Sequence, residues 1–233
     1  MEVIPQVYQI TSKYTNVILI AEEELTLIDT GVRGSSSNII KFVRSLGRSV
    51  EEITLIILTH NHLDHIGGLA ELKKFTTAKV AIHKDDISGG GNNSPSSDFG
   101  VVRKLLHVPP LSSLRPFVCI SSNEVDIQLE GGEILSPLGG LKVIHTPGHT
   151  LGSISLFSPQ RKLLIVGDTL RTWHGDIRLP PKLVSADLIQ AIDSVKRIAQ
   201  LDFDIICFGH GKPLIKGALA KVGDLIKRQA VAT

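Results

Sequence analysis

Two apolar runs, one in each half of the chain, end in the same Asp-Thr pair. Residues 25–30 read LTLIDT, and residues 164–169 read LIVGDT. Each run is followed by a helical pattern and then by a second apolar run, which ends near His60 in the first half and near His210 in the second. Self-similarity of this kind predicts a weak internal repeat of one strand–helix–strand unit.

Apolar periodicity predicts the elements of each unit. Strands are predicted at residues 7–10, 16–20, 25–28, 53–58 and 79–83, and then at 125–129, 133–135, 141–145, 153–157, 162–166 and 204–208. Helices are predicted between Ser35 and Gly47 and at residues 66–75, 185–201 and 214–228. Strands that alternate with helices favour an α/β fold.

Two such units packed face to face would form a four-layer αββα sandwich, in which helices flank two mixed β-sheets. The strand ends that carry Asp29, His60, Asp168 and His210 would then meet along one edge of the molecule. The repeat therefore predicts both a fold and the place of a site.

The length of the chain, 233 residues with 42% hydrophobic residues, fits one domain spanning residues 1–233. Residues 86–118 interrupt the pattern, because they combine a Gly/Ser/Asn-rich stretch, a short helical pattern at 101–106 and the prolines Pro109, Pro110 and Pro116. We interpret them as an insertion or cap loop over a site, with a linker between domains as the alternative.

Charge and cysteine content narrow the class of partner. The formal net charge is +2, so no broad basic face is predicted and nucleic acid is not expected as a partner. Cys119 and Cys207 lie far apart in apolar contexts and are predicted to be buried thiols. The N-terminal residues lack the pattern of a signal peptide, and no apolar run approaches the ~20 residues of a membrane span. A cytoplasmic location without a membrane partner is expected.

The densest chemical signal is the stretch THNHLDHIGG at residues 59–68. It places His60, His62, Asp64 and His65 within six positions, directly after a predicted strand. Imidazole and carboxylate groups are the usual ligands of zinc, manganese and iron. This stretch predicts a metal site.

Further candidate ligands follow along the chain. His149 lies in HTPGHTLGS (residues 145–153), where a Pro-Gly pair predicts a tight turn, and glycines flank His210. The candidate ligands are seven: His60, His62, Asp64, His65, His149, Asp168 and His210. His145 is not expected to be a ligand.

These motifs resemble those of the metallo-β-lactamase-fold hydrolase superfamily, in particular its glyoxalase II-like and lactonase-like members. The likeness covers about residues 15 to 215 and implies the αββα fold. It implies a first metal held by His60, His62 and His149, and a second held by Asp64, His65 and His210, with Asp168 bridging them. Asp29 would hydrogen-bond a ligand imidazole, or would be an ordinary turn residue.

The resemblance also implies the chemistry. The expected activity is that of a binuclear hydrolase in which a metal-bridging hydroxide attacks a small ester, thioester or lactone. Asp64 would orient the hydroxide or carry a proton. Two zinc ions are expected, with iron or manganese as alternatives, and a small molecule is the expected substrate. A homodimer is compatible with the sequence.

Some positions depart from the relatives that these motifs resemble. Acyl-homoserine-type lactonases carry Tyr where this chain has Arg171, and zinc β-lactamases of the main subclass carry Cys where it has Asp168. Only 23 residues follow His210, whereas glyoxalase II proper has a further helical domain. Trp173 and His174 either line the site with Arg171 or lie in a surface loop.

Three other functions remain as alternatives. One is a phosphodiesterase or nucleic-acid-processing hydrolase, although residues 86–118 carry only three fixed cations, Arg103, Lys104 and Arg115. Another is a mononuclear-iron sulfur dioxygenase. The third is a metal-binding module without catalysis.

Overall fold

The computed structural model describes residues 1–87 and 120–231. The helix predicted at residues 101–106, almost all of the predicted insertion and Cys119 lie outside the described residues.

The first sheet has seven strands. Its elements and the helices between them are β1 (Glu2–Ile4), β2 (Val7–Ser12), β3 (Thr15–Ala21), β4 (Leu25–Ile28), α1 (Ser36–Ser45), β5 (Ile53–Ile57), α2 (Leu63–Ile66), α3 (Leu69–Leu72), β6 (Lys79–His83) and β7 (Ile127–Leu129). The strands lie in sequence order. Pairing is antiparallel from β1 to β4 and parallel from β4 to β7, so the sheet is mixed.

The second sheet has five strands in the order β14-β11-β10-β9-β8. The elements of this half are β8 (Ile134–Leu135), β9 (Leu141–His145), β10 (Ile154–Ser158), β11 (Leu163–Ile165), β12 (Arg171–Trp173), β13 (Asp176–Arg178), α4 (Leu188–Ile198), β14 (Ile205–Cys207) and α5 (Ala218–Val231). β11 and β14 are parallel, and β12 and β13 form a separate two-stranded ribbon. Short 3₁₀ turns occupy Val50–Glu52, Lys84–Asp86, Ser122–Glu124, Pro137–Gly139 and Lys182–Val184.

Three buried apolar clusters separate four layers. The first packs α1 and α3 on the first sheet, the second lies between the two sheets, and the third packs α4 and α5 on the second sheet. Successive residues of a strand enter different clusters, as Leu27 and Ile28 do, because side chains alternate between the two faces of a sheet. Burial on both faces explains the continuous apolar runs. The predicted αββα sandwich is confirmed.

The internal repeat is visible as two strand–helix–strand units. β4, α1 and β5 form one unit with parallel strands, and β11, α4 and β14 form the other. Backbone hydrogen bonds join the two halves at the edge where these strands end. The amide of Asn16 donates to the carbonyl of Gly209 at 2.8 Å, and the amide of Ile154 donates to the carbonyl of Thr59 at 2.9 Å.

The prediction of one helix at residues 66–75 is wrong in its bounds. Two four-residue helices, α2 and α3, flank Gly67 and Gly68, and α2 begins inside the histidine motif. A Cβ on Gly67 would lie 2.7 Å from the amide nitrogen of Arg33, and one on Gly68 would clash with the carbonyl of Thr30. The two glycines therefore allow the turn between α2 and α3 to pack closely against the backbone that follows β4.

Other helix bounds differ for local reasons. Helix α4 begins at Leu188, because Oδ1 of Asp187 accepts the amide hydrogens of Ile189 and Gln190 at 2.9 and 3.0 Å. The last helix begins at Ala218 rather than residue 214, because Leu214 forms a β-bridge with Ile206. Strand β1 and the β12–β13 ribbon were not predicted. No helix among the described residues is long and apolar enough to cross a membrane.

Candidate metal centre

The seven predicted ligands come together at one edge of the sandwich. His60 follows β5 and His210 follows β14, while Asp168 follows β11. Because β4 and β5 run parallel, as do β11 and β14, their carboxyl ends lie at a common edge. His62, Asp64 and His65 lie at the start of α2, and the turn between β9 and β10 brings His149 to the same place.

The side chains form two groups that share Asp168. Ligand atoms of the first group, His60, His62 and His149, lie within 4.8 Å of one another, and so do those of the second group, Asp64, His65 and His210. Asp168 reaches both groups. Its Oδ2 is 3.5 Å from Nε2 of His149 and 3.1 Å from Nε2 of His210, and its Oδ1 is 3.4 Å from Nε2 of His65.

The ring orientations of the first group suit a common ion. The interplanar angles are 79° for His60 and His62, 75° for His60 and His149, and 85° for His62 and His149. The lone pair of an imidazole nitrogen lies in the plane of its ring. Rings that are nearly perpendicular can therefore direct their lone pairs to one point.

Four of the histidines use Nδ1 to bind the protein. Nδ1 of His65 lies 2.8 Å from Oδ2 of Asp29, and Nδ1 of His210 lies 2.9 Å from the carbonyl oxygen of Tyr14. Nδ1 of His149 lies 3.3 Å from the hydroxyl of Ser185, and Nδ1 of His60 lies 3.0 Å from that of Thr59. These contacts fix the tautomer that leaves Nε2 free to accept a proton or a cation.

Several buried atoms that face the centre lack a hydrogen-bond partner. Within the described part of the chain, Nε2 of His60, His65 and His149 and Oδ1 of Asp168 are buried without a hydrogen bond. Buried polar atoms without partners are rare in native proteins. A cation would satisfy all of them, and imidazoles with carboxylates suit zinc, iron and manganese. The residues present thus fit a divalent metal site.

The first group is electrically neutral in the absence of a cation. Burial, reinforced by neighbouring histidines, lowers the pKa of His60 well below its usual value. Burial and the charge of His149 lower the pKa of His62 to about 3. Burial lowers the pKa of His149 to about 4 against the attraction of Asp168. These three imidazoles are therefore unprotonated at pH 7.

The second group holds protons instead. Burial opposes a charge on His65, but the carboxylates of Asp168 and Asp29 outweigh it and raise its pKa to about 9. Burial likewise opposes a charge on His210, while hydrogen bonds to Asp168 and Asp64 raise its pKa to about 10. Burial opposes ionisation of Asp64, but His210 and His65 lower the pKa of this carboxyl, so it is charged at neutral pH.

Asp29 links the two groups through hydrogen bonds to Thr59 and His65. Its carboxylate accepts the amide hydrogen of Thr59 at 2.8 Å and the hydroxyl hydrogen of Thr59 at 2.9 Å, besides the contact with His65. Because the Thr59 hydroxyl donates to Asp29, it accepts from Nδ1 of His60. The backbone of Asp29 has φ 62°, a left-handed conformation that costs energy in a residue other than glycine. Asp29 thus contacts the imidazole of His65, a candidate ligand, which is the contact that the resemblance implies.

Asp86 is a buried carboxylate that the sequence analysis did not single out. Its Oδ2 accepts the amide hydrogen of Asn61 at 3.0 Å and the hydroxyl hydrogen of Thr150 at 2.7 Å, and its Oδ1 accepts the amide hydrogen of Gly152 at 2.9 Å. Burial raises its pKa to about 6 against these hydrogen bonds. Asp86 therefore ties the loop of His60 and His62 to the loop of His149. Its sequence signal was an acid just beyond a buried strand.

The remaining candidates lie on the β12–β13 ribbon. Arg171 is half-buried, whereas Trp173 and His174 are exposed. His174 and Gly175, with φ of 50° and 85°, form the two-residue turn of the ribbon. None of the three belongs to a group of possible ligands among the described residues.

A further set, His83, Asp85 and His145, has ligand atoms within 4.8 Å but a different geometry. The rings of His83 and His145 are stacked, with centroids 3.9 Å apart and an interplanar angle of 14°. Lone pairs of parallel rings point in parallel directions and do not meet at one ion. Nε2 of each ring also contacts a backbone carbonyl, that of Glu130 at 3.1 Å and that of Leu151 at 2.7 Å. We interpret this pair as a packing contact between the two sheets.

Comparison with known proteins agrees with this geometry. The family model of the metallo-beta-lactamase superfamily matches residues 10–210. A probable metallo-hydrolase of Bacillus subtilis, YflN, is 29% identical over 229 residues, covering 89% of this chain and 84% of the relative. A hydroxyacylglutathione hydrolase of Bartonella tribocorum is 29% identical over 157 residues, covering 66% of this chain and 47% of the relative.

Among solved structures, a metallo-beta-lactamase family protein of Thermus thermophilus, TTHA1429, superposes with a TM-score of 0.74 at 21% identity, covering 99% of this chain and 81% of that one. At this identity the superposition shows the fold alone. The family match extends over most of the chain and includes every residue of the two ligand groups. The chain therefore belongs to the metallo-β-lactamase superfamily.

Proposed function

We propose that the protein is a hydrolase that uses two divalent metal ions, with zinc expected, to cleave an ester, thioester or lactone bond in a small molecule. His60, His62 and His149 would hold one ion, Asp64, His65 and His210 the other, and Asp168 would contact both. When bound, two such ions lower the pKa of a water molecule and polarise the bond to be cleaved.

The observation that carries the proposal is the set of unpartnered buried atoms. Nε2 of His60, His65 and His149 and Oδ1 of Asp168 all lie among the ligand groups without a hydrogen bond. Burying them in this state costs roughly 1–3 kcal/mol for each atom. A purely structural cluster would bring such atoms into hydrogen bonds, whereas Asp168 stays 3.4 Å from Nε2 of His65 and 3.5 Å from Nε2 of His149 without one.

Two ions are favoured over one by the second group. Asp64 lies 3.3 Å from His210 through Oδ2 and Nε2, and both side chains are partly accessible from outside. A mononuclear iron site would leave these residues, with His65, without an ion. The sulfur dioxygenase alternative would leave these three side chains held together by their ion pairs alone.

Side chains and backbone groups of the protein would handle the proton and orient the imidazoles. Asp64 is ionised at neutral pH, so it can accept a proton from the attacking water or position that water. Asp29, Ser185, Thr59 and the carbonyl of Tyr14 hold the imidazoles in one tautomer and orientation. A preorganised centre of this kind needs little rearrangement during the reaction.

The bond type is inferred from a relative. A hydroxyacylglutathione hydrolase is among the relatives, which favours a thioester, but this chain spans only 47% of its length. A phosphodiester is the second candidate, because a two-metal centre also suits that reaction.

The test is a substrate panel combined with metal analysis. Freshly purified protein should contain close to two metal ions per chain, and well under one would contradict the binuclear site. Aryl esters, lactones and thioesters should be turned over faster than bis-aryl phosphodiesters. Turnover of the phosphodiester alone would contradict the proposed bond class.

A double variant and a surface control distinguish the loss of metal binding from the loss of the folded structure. His60→Ala combined with Asp168→Ala should abolish turnover and lower the metal content, while circular dichroism stays unchanged. Asp202→Ala is the matched control, because within residues 1–87 and 120–231 that carboxylate pairs only with Lys162, on the surface.

A further inference from the structure

The β12–β13 ribbon places two arginines side by side. Arg171 lies directly opposite Arg178 in this antiparallel pair. Side chains directly opposite one another share a face of the ribbon, with Cβ atoms about 5 Å apart. Like charges in these positions repel, so the arrangement calls for a compensating negative charge.

No acid within residues 1–87 and 120–231 supplies that charge. The ion pairs of this part of the chain include neither arginine. Asp176 shares the face, but it lies opposite Trp173 and forms no ion pair with either arginine. Moreover, Nε of Arg171 is buried without a hydrogen-bond partner. A buried guanidinium N–H without an acceptor is unusual in a native protein.

The ribbon is attached to the candidate metal centre at two points. Arg171 follows Asp168 by three residues. Thr172 is the next residue along the strand. Its amide donates to the carbonyl of His210 at 3.2 Å, and its hydroxyl donates to the carbonyl of Lys212 at 2.9 Å. Thr172 and Ile177 are buried and face the body of the protein. The arginine-bearing face is therefore the opposite one, on a strand that begins three residues after Asp168 and is hydrogen-bonded to the backbone of His210.

We propose that Arg171 and Arg178 form an anion-binding site for a carboxylate or phosphate group of the substrate. This inference rests on the proposed hydrolase function and narrows it, because the substrate would be an ester, thioester or lactone with a negative group away from the scissile bond. Planar guanidinium groups match carboxylate and phosphate oxygens through paired hydrogen bonds. Bound oxygen atoms would supply the acceptor that Nε of Arg171 lacks.

A tryptophan on the same face of the ribbon can report anion binding by its fluorescence. Trp173 is the only tryptophan of the chain, is 54% exposed and lies two residues from Arg171 on the same strand. Its fluorescence should therefore respond when an anion binds to the arginines. This readout does not depend on turnover.

The experiment titrates the metal-loaded protein with succinate and, separately, with inorganic phosphate while Trp173 fluorescence is recorded. Saturable binding of at least one anion is expected, and the stronger one identifies carboxylate or phosphate as the recognised group. Arg171→Gln and Arg178→Gln should each raise the Kd about tenfold or more. Arg44→Gln, on the far helix α1, is the matched control and should bind as the unmodified protein does.

Two outcomes would overturn the site. One is that neither anion binds, and the other is that both glutamine variants bind with unchanged Kd, as they would if phosphate contacted only the metal ions. Arg171→Lys should give an intermediate Kd, because it keeps the charge but loses the planar pair of donors.

A kinetic comparison separates this inference from the proposed function. The mono-4-nitrophenyl ester of succinate should have a lower KM than 4-nitrophenyl butyrate, and this preference should shrink in both glutamine variants. Equal KM values for the two esters would refute the anion site while leaving the hydrolase intact. Absence of turnover with Arg-dependent anion binding would refute the hydrolase instead.

Discussion

The carboxylate of Asp29 lies 2.8 Å from Nδ1 of His65, and the same Oδ2 atom accepts the hydroxyl hydrogen of Thr59 at 2.9 Å. Through Thr59 this one carboxylate also reaches Nδ1 of His60. His60 belongs to the first ligand group and His65 to the second. Asp29 thus fixes the tautomers of one imidazole in each group.

Asp29→Asn should weaken the binding of both metal ions. An asparagine has one acceptor oxygen, so it cannot accept from the Thr59 amide, the Thr59 hydroxyl and His65 together. Loss of such outer contacts typically lowers metal affinity by roughly 10–100-fold. Competition with a coloured chelator would measure both affinities. Asp202→Asn is the surface control, and affinities equal to those of the unmodified protein would contradict this role.

Asp86→Ala should lower the affinity of the first ligand group for its metal ion more than that of the second group. The change leaves the amide hydrogens of Asn61 and Gly152 and the hydroxyl of Thr150 without their acceptor, so the two loops that carry His60, His62 and His149 lose their connection. Stepwise calorimetric titration of metal-free protein would resolve the two binding events. Asp85→Ala, at the adjacent and more exposed position, provides the control. Equal losses in both steps would argue for a general effect on folding.

Metal binding to the second group should release protons at pH 7, whereas binding to the first group should not. His65 and His210 have pKa values of about 9 and about 10, so both are protonated in the metal-free protein. His62 and His149, at about 3 and about 4, are not. The affinity of the second group should therefore rise roughly tenfold per pH unit for each displaced proton, up to about pH 9.

Calorimetry in two buffers with different ionisation enthalpies would count these protons. The expected result is a buffer-dependent heat for one binding step and a buffer-independent heat for the other. The same dependence on buffer and pH in both steps would contradict the assigned protonation states.

Substitution of the stacked histidines should leave the metal content unchanged. His83→Gln and His145→Gln remove rings whose parallel planes cannot direct their lone pairs to one ion. Metal analysis should give the same number of ions per chain as the unmodified protein, whereas His62→Gln should lose metal from the first group. Loss of one ion in His145→Gln alone would show that this set binds a cation.

Gly68→Ala should destabilise the protein by about 1–3 kcal/mol, because the new Cβ would clash with the backbone carbonyl of Thr30. Gly223→Ala is a matched control in helix α5, where the added Cβ meets no atom within 4 Å. That change should stabilise the helix by up to about 1 kcal/mol. Urea denaturation of the metal-free variants would measure both changes. A Gly68→Ala variant as stable as the unmodified protein would contradict the packing role of Gly68.

Much of the site could be read from local sequence. The seven candidate ligands were identifiable because imidazole and carboxylate side chains recur at the ends of apolar strands, and the two Asp-Thr motifs disclosed the repeat. Strands β3, β4 and β5 and helix α1 kept their predicted type because their apolar patterns are clear. The β12–β13 ribbon was missed, since each of its strands buries a single residue among charged or exposed neighbours, whereas the equally short β11 and β14 are apolar runs.

The sequence by itself determined the αββα class and the candidate metal ligands, because both follow from side-chain type and spacing along the strands. Only the tertiary structure decided which atoms meet. It turned the rings of His60, His62 and His149 nearly perpendicular and those of His83 and His145 parallel, although all are histidines at strand ends or in adjoining loops. It also brought Asp86 between two ligand loops and set Arg171 opposite Arg178. Such relationships depend on how distant segments pack and on strand register, and no local pattern encodes either.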